Sequence, residues 1–393
     1  MSTVTHERVG DVCPACGESG ARGFYAVDRV PVHSVLLMRT FEQARTFPRG
    51  DIRLRHCGAC DFVFNGAFEA SQMRYGEAYE ETQAYSPTFD AFQRRLAEDL
   101  IRRHDLRHGR IFEIGCGKGE FLDLLCELGG NRGIGFDPSF DAARRKRSNA
   151  DVTFVPRLYT DDLERIDADL VVCKMTLEHI PSVAGLVRTV RRGLLEERGA
   201  TVFFQVPNFA KILRDRGFWD IYYEHCSYFT DTSLAGLFRR CGFEPTALWS
   251  DYDEQYLMIE ARAAAERAGS DPARLPDAEL LAFERDCRER VDAWRRGLVA
   301  ESAQGRRIAV WGGGSKAVAF LAAVDPHGVV DCVVDINPHK QGHFLPGSGR
   351  RVVAPEELMQ ARPDVVVVMN PVYRVEIEQT LRDLGIDAET RSP

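Results

Sequence analysis

A strand that runs into glycines, and through them into a helix, constrains this chain more than any other stretch. The run Arg110 to Ile114 is apolar at its end and reads as a buried parallel strand, followed by Gly115-Cys116-Gly117-Lys118-Gly119. Phe121, Leu124, Leu125 and Leu128 then fall on one face at helical spacing, and Gly129-Gly130 ends the helix. Glycines at such a turn let the backbone approach a ligand that side chains would hold off. The next strand, Gly133 to Phe136, ends in Asp137. An acid about twenty residues after the loop can hydrogen-bond a ribose hydroxyl pair. The pattern predicts an α/β doubly wound sheet that binds a nucleoside-bearing ligand.

Glu113, Gly115, Gly117 and Gly119 together spell E-x-G-x-G-x-G. This resembles motif I of class I S-adenosylmethionine-dependent methyltransferases. The resemblance implies that the loop lies against the amino-acid end of the cofactor and that Asp137, followed by Pro138, holds its ribose. Nicotinamide enzymes space their glycines as G-x-G-x-x-G, and here Glu120 takes the third place.

The bulk numbers exclude several classes. A length of 393 residues suits two or three domains. A net charge of −8 argues against a nucleic-acid footprint. The chain has no apolar run of membrane-spanning length. Residues 1–10 lack a signal peptide's apolar core, so a cytoplasmic location is expected. The sequence leaves the oligomeric state open.

Residues 1–68 read as a zinc-binding unit. Cys13-Pro14-Ala15-Cys16 and Cys57-Gly58-Ala59-Cys60 each offer two thiolates from one turn, and the two turns complete a tetrahedral site. Gly17 and Gly58 suit such turns. Four sulfurs close the shell, so the zinc is expected to be structural, with His33 and His56 as non-ligands. The other cysteines are scattered singly in apolar segments and read as reduced core thiols.

Residues 69–105 read as a helical linker with aromatic punctuation, or as a lid that brings Tyr75 or Tyr79 to substrate. Residues 106–262 form the cofactor domain. Its further strands, Asp169 to Cys173 and Ala200 to Val206, are apolar runs suited to a doubly covered sheet. Ligands bind at the carboxyl ends of such strands, which puts Lys174, Thr176, His179, Gln205 and Asn208 on the functional edge. Leu177-Glu178-His179-Ile180-Pro181 resembles a stretch of class I methyltransferases that closes over the cofactor, with capping and packing as the plainer role of Glu178 and His179. Phe218 to Phe229 is an aromatic segment that carries Glu224 and His225, and a carboxylate beside an imidazole can raise its basicity and fix its tautomer.

Residues 263–304 read as a solvated helical connector with a break at Asp271 to Pro276, in which Trp294 and Leu298 are the candidates for packing on a neighbour. Residues 305–393 begin a Rossmann-like unit: the strand Arg307 to Trp311 leads into Gly312-Gly313-Gly314-Ser315-Lys316-Ala317, and a second strand ends at Asp335. A phosphate at Ser315-Lys316 or a structural turn both fit that loop.

In order, these features resemble the sugar C-methyltransferases of deoxysugar biosynthesis. The most specific match is Tyr222-x-Glu224-His225-x-Ser227-Tyr228-Phe229, against the family's Y-H-E-H-x-S-Y-[FL]. The resemblance implies a zinc unit, a methyltransferase core and a C-terminal domain that helps hold a nucleotide-linked keto sugar. It implies His225 as general base, with Tyr222 and Glu224 beside it; Tyr79, from the lid reading, is the further catalytic candidate. Tyr75, Asn208, Gly314, Ser315, Lys316, Asp335 and Lys340 are the expected substrate contacts. Three departures lie where the sugar is expected. Tyr223 replaces a histidine, Val32-His33-Ser34 replaces L-A-[ND], and Tyr79 to Pro87 lacks paired serines. The expected reaction is methyl transfer from S-adenosylmethionine to a carbon beside a ketone. Transfer to oxygen or nitrogen on the same scaffold, and a non-catalytic zinc-ribbon scaffold, are the alternatives.

Overall fold

A computed structural model describes residues 12–73, 76, 79–145, 148–160, 165–267 and 275–393. The middle of the chain forms a seven-stranded sheet, in the order Phe243–Asp251, Tyr256–Ala263, Thr201–Pro207, Leu170–Lys174, Arg110–Ile114, Arg132–Phe136, Asp151–Val155. The last five strands in that order are parallel to one another, and an antiparallel hairpin closes the other edge. Leu170, Val171, Val172 and Cys173 are wholly buried, as a strand covered by helices on both faces must be. Arg110–Ile114 pairs with Arg132–Phe136 on one side and Leu170–Lys174 on the other. The winding therefore reverses beside the glycine loop, and a crevice opens there at the carboxyl ends of the strands.

The C-terminal sheet repeats this logic. Five parallel strands run in the order Val352–Val353, Cys332–Val334, Ile308–Trp311, Val365–Val368, Glu389–Arg391. Its first strand is again central, and its glycine loop again sits at the reversal.

The N-terminal sheet is antiparallel. Arg22–Pro31, Arg49–His56 and Val63–Asn65 lie side by side, and a fourth strand, Ser227–Tyr228, joins from far along the chain. Arg49–His56 is rich in charge, yet Ile52, Leu54 and His56 point inward at period two.

Two helical expectations need correction. Within 69–105 the long helix is only Pro87–His104, preceded by a single short turn at Ala70–Gln72. Pro87 biases Ser86 away from helical geometry, and Ser86 instead caps the helix by accepting from the Phe89 N–H. The residues from 79 to 86 stay irregular, and many of them line the crevice. The helix Asp277–Ala303 is not a solvated connector. Leu280, Phe283, Cys287 and Leu298 are buried along it. The Phe283 ring lies 5.2 Å from Tyr25, and the Trp294 ring lies 5.3 Å from Phe320. Each such fully buried side chain contributes about 1.5–3 kcal/mol. One apolar cluster thereby joins the N-terminal sheet, the segment around Phe209 and Phe218, and the C-terminal sheet. Among the described residues, no helix is long and apolar enough to cross a membrane.

Candidate active site

A chamber of about 790 Å³ is lined from both the middle unit and the C-terminal unit. The first glycine loop forms one wall. Gly115, Gly117 and Gly119 have φ of +72°, +53° and +84°, the left-handed region that favours glycine. Space is as tight as conformation. A Cβ on Gly115 would lie 1.9 Å from Thr176 Oγ1, and one on Gly117 would lie 2.7 Å from Glu81 Oε1. Gly119 is not a wall residue: it starts the helix Glu120–Gly129 and packs under the Phe154 ring.

Asp137 closes the loop from the next strand. Its Oδ2 accepts from the Gly117 N–H at 2.9 Å, and its Oδ1 accepts from the Ser139 N–H at 2.7 Å. Pro138, Lys174, Thr176 and His179 line the same wall. Glu113 lies beneath the loop, wholly buried, with Oε2 unpartnered. Burial pushes Glu113 up and Lys174 down from their ordinary ranges. Lys174 Nζ donates to Gln93 Oε1 at 2.6 Å and sits 3.5 Å from the centre of the Phe121 ring. Bare backbone, a carboxylate at the second strand and orphaned buried oxygens fit a nucleoside cofactor that carries positive charge.

The opposite wall comes from the aromatic segment. Tyr222 and His225 both line the chamber, with ring centres 4.1 Å apart. Burial first, then His179 and Lys316, hold His225 well below the ordinary imidazole range, so the ring is neutral at physiological pH. Burial lifts the Tyr222 hydroxyl far above its usual range, so it stays a proton donor.

Glu224 is not the carboxylate at His225. It turns away, toward the N-terminal sheet, where its Oε1 lies 2.7 Å from His33 Nδ1 and its Oε2 accepts from the Ser34 N–H at 2.9 Å. Ser34 Oγ also donates to Glu224, and its oxygen lies 2.7 Å from Ser315 Oγ. Those contacts outweigh burial and lower Glu224 below the carboxylate norm. The acid that faces His225 is Glu178, 4.0 Å from Nε2.

The C-terminal unit supplies the remaining wall, with Gly314, Ser315, Lys316, Asp335 and Lys340. Asp335 Oδ2 accepts from the Gly313 N–H at 2.8 Å, as Asp137 does from Gly117. Lys340 Nζ lies 3.4 Å from Asp335. Lys316 Nζ is held 2.6 Å from Asp220 and 3.3 Å from Gln255 Oε1. Asn208 also lines the chamber while capping the helix Phe209–Asp215. Tyr79 lines it too, and its carbonyl accepts from Lys118 Nζ at 3.0 Å. Tyr75 lies outside the described residues.

Sequence reasoning missed Glu81, a wall residue whose Oε2 has no hydrogen-bond partner and lies 3.9 Å from Lys118 Nζ, and which desolvation lifts to about 7. It missed His33 and Ser34 as the partners of Glu224. A pair separated by 191 residues leaves no local signal.

The four N-terminal cysteines converge. Cys13 Sγ lies 3.5 Å from Cys60 Sγ, and Cys16 Sγ lies 3.7 Å from Cys57 Sγ. Tetrahedral bonds of about 2.3 Å put sulfurs about 3.8 Å apart, so the cluster fits such an ion. Gly17 takes the left-handed position of the first turn, whereas in the second that position falls to Asp61 rather than Gly58. Asp61 Oδ1 lies 2.8 Å from His56 Nε2, which keeps that histidine off the sulfurs.

Comparisons with known proteins follow the same division of the chain. A methyltransferase-domain family model matches residues 89–248, and a model described as the C-methyltransferase C-terminal domain matches residues 261–388. The C-methyltransferase NovU of Streptomyces niveus is 30% identical over 308 residues, 72% of each chain. The PH0226 protein of Pyrococcus horikoshii OT3 aligns at 16% identity and a TM-score of 0.38, covering 48% of this chain and 100% of its own. The 1,6-didemethyltoxoflavin-N1-methyltransferase of Burkholderia thailandensis, solved with S-adenosylhomocysteine, aligns at 16% identity and a TM-score of 0.36, covering 53% and 98%.

Proposed function

Given that this chain belongs to the S-adenosylmethionine-dependent C-methyltransferases, we propose that it methylates a carbon beside a ketone, on a nucleotide-linked deoxy-keto sugar. The observation that carries this reading is the single chamber. The glycine loop with Asp137, the His225–Tyr222 pair and the second glycine loop all open into it.

Glu113, Gly115, Gly117, Asp137, Pro138, Lys174, Thr176 and His179 would hold S-adenosylmethionine. When bound, that cofactor supplies a methyl group already activated on a sulfonium. The task left to the chain is to make a carbon nucleophilic. His225, kept neutral by burial, takes the α-proton, and the electron pair of the C–H bond becomes the enolate. The Tyr222 hydroxyl, kept protonated, donates to the developing oxyanion. Tyr79 stands on the same wall and orders the approach. Positioning in the chamber supplies much of the remaining acceleration. Asn208, Gly314, Ser315, Lys316, Asp335 and Lys340 would take the nucleotide and sugar, with the N-terminus of the helix Ser315–Val324 toward phosphate. Cys13, Cys16, Cys57 and Cys60 would hold a structural zinc whose shell they close.

The test is proton exchange in deuterated water without the methyl donor, with a thymidine-diphosphate-linked 4-keto-6-deoxyhexose as probe. His225→Asn is expected to slow α-proton exchange by at least about 100-fold. Exchange at the wild-type rate would remove the base role.

A further inference from the structure

Glu178 is a buried acid with no evident partner. Its side chain is 0% exposed, and neither carboxylate oxygen has a hydrogen-bond partner. Buried polar groups are almost always satisfied, and an unpaired buried carboxylate costs stability, so packing alone gives no reason to keep one here. The ion-pair partner in reach is His225 Nε2, at 4.0 Å. That gap exceeds a hydrogen bond of about 2.7–3.2 Å, and catalytic contacts commonly tighten when substrate binds.

The frame around the pair is firm. The turn Leu177–His179 holds Glu178, and the Cys226 thiol donates to the Glu178 carbonyl at 3.5 Å. Ser227 Oγ donates to the Ile180 carbonyl at 3.3 Å, which ties the same turn to the aromatic segment. His225 is set by its main-chain N–H on the Tyr222 carbonyl at 3.2 Å. Glu224, the sequence neighbour, is already committed to His33 and Ser34.

We propose that Glu178 is the positioning carboxylate of His225. It accepts the Nε2–H, which leaves Nδ1 as the basic nitrogen, and it stabilises the imidazolium formed when Nδ1 takes the α-proton. This rests on the base role of His225. The proton moves from carbon to Nδ1, the C–H electron pair stays on the substrate as enolate, and Glu178 ends as the counter-ion of the imidazolium. The need is physical. A ring held far below its ordinary range is a weak base unless an anion stands behind it. Desolvation lifts Glu178 to about 8, so the anion forms as pH rises through that value. The titratable groups around the pair are His179, with a ring nitrogen within 4.8 Å of both members, Lys316 at the imidazole, and Cys173, Cys226, Tyr222 and Tyr256 at the carboxylate.

The experiment compares wild type, Glu178→Gln, Glu178→Asp and His225→Asn in the α-proton exchange of the same thymidine-diphosphate-linked probe. Long-range ¹⁵N–¹H NMR of histidine-labelled protein reads the His225 tautomer without any ligand. Glu178→Gln is expected to slow exchange by roughly 10²–10⁴-fold, as loss of a histidine-orienting acid does elsewhere, and to abolish the rise of rate with pH through about 8. Glu178→Asp is expected to recover part of the rate. The wild-type ring is expected as the Nε2–H tautomer. If His225→Asn loses exchange while Glu178→Gln keeps both the rate and the tautomer, the proposal fails and the base role stands. If His225→Asn keeps exchange, the base role itself fails. A divalent ion held by wild type beyond the four-cysteine site, and lost in Glu178→Gln, would also overturn the proposal, since Glu178 would then be a ligand.

Discussion

Gly115 carries two constraints at one atom. Its φ of +72° disfavours any side chain, and the space where a Cβ would go is filled by Thr176. Gly305 separates the two effects, because its φ is +75° and a Cβ there would meet nothing within 4 Å. Gly305→Ala is expected to cost only the left-handed strain, roughly 1–2 kcal/mol of stability. Gly115→Ala is expected to pay that strain and also to weaken S-adenosylmethionine binding at least about tenfold, or 1.4 kcal/mol, read by calorimetry. Equal binding by the two variants would mean that the loop does not seat the cofactor. This loop was legible in the sequence because its information is local: strand, glycines and helix follow one another, and Asp137 comes one strand later. The partner of Glu224 was not legible. His225 is its chain neighbour, but in the fold the two side chains diverge, and His33 arrives from the loop after the strand Arg22–Pro31, 191 residues away.

At the scale of elements, the short strand Ser227–Tyr228 matters out of proportion to its length. It pairs with Val63 and Phe64, so the sheet beside the four cysteines extends into the segment that bears His225. Cys57 lies one residue beyond the strand Arg49–His56 that holds this register. On the proposed zinc site, Cys57→Ser, or a strong chelator, is expected to lower zinc from about one ion per chain to none, since four thiolates would hold it. Hydrogen exchange of the amides at 225–229 is expected to quicken more than that of the central strand Arg110–Ile114. Unchanged protection at 225–229 would sever the proposed metal site from the segment that bears His225. The apolar strands of the two parallel sheets could be read from their runs of Val, Ile and Phe. The N-terminal strands could not be read so easily. Arg49–His56 hides a period-two alternation under its charges, and Ser227–Tyr228 is too short to carry a period at all. The helix Asp277–Ala303 looked solvated by composition, yet spacing four residues apart puts Phe283 and Cys287 on one buried face.

Across the whole molecule, the chamber is shared between the middle and C-terminal units. Asp220 and Lys316 form one tie between the middle and last parts of the chain. Asn337 Nδ2 forms another by donating to Glu80 Oε1 at 2.8 Å, and Arg144 pairs with the same carboxylate. Asp220→Asn frees Lys316 without emptying the wall. Its expected effect is a rise of about tenfold in KM for the thymidine-diphosphate-linked probe, or 1.4 kcal/mol, with S-adenosylmethionine affinity unchanged. A parallel loss of both would point to general loosening rather than acceptor positioning. Length foretold two or three domains and the glycine loops foretold two α/β units, but their mutual closure rests on pairs distant in sequence. The late arrival of Ser227–Tyr228 has a further consequence for biogenesis. During translation the N-terminal sheet keeps an open edge at Val63–Asn65 until more than half the polypeptide has left the ribosome, and an open edge invites pairing with another nascent chain. A graft that transplants the middle segment alone into another host would take that missing strand with it and leave the donor's first sheet unfinished.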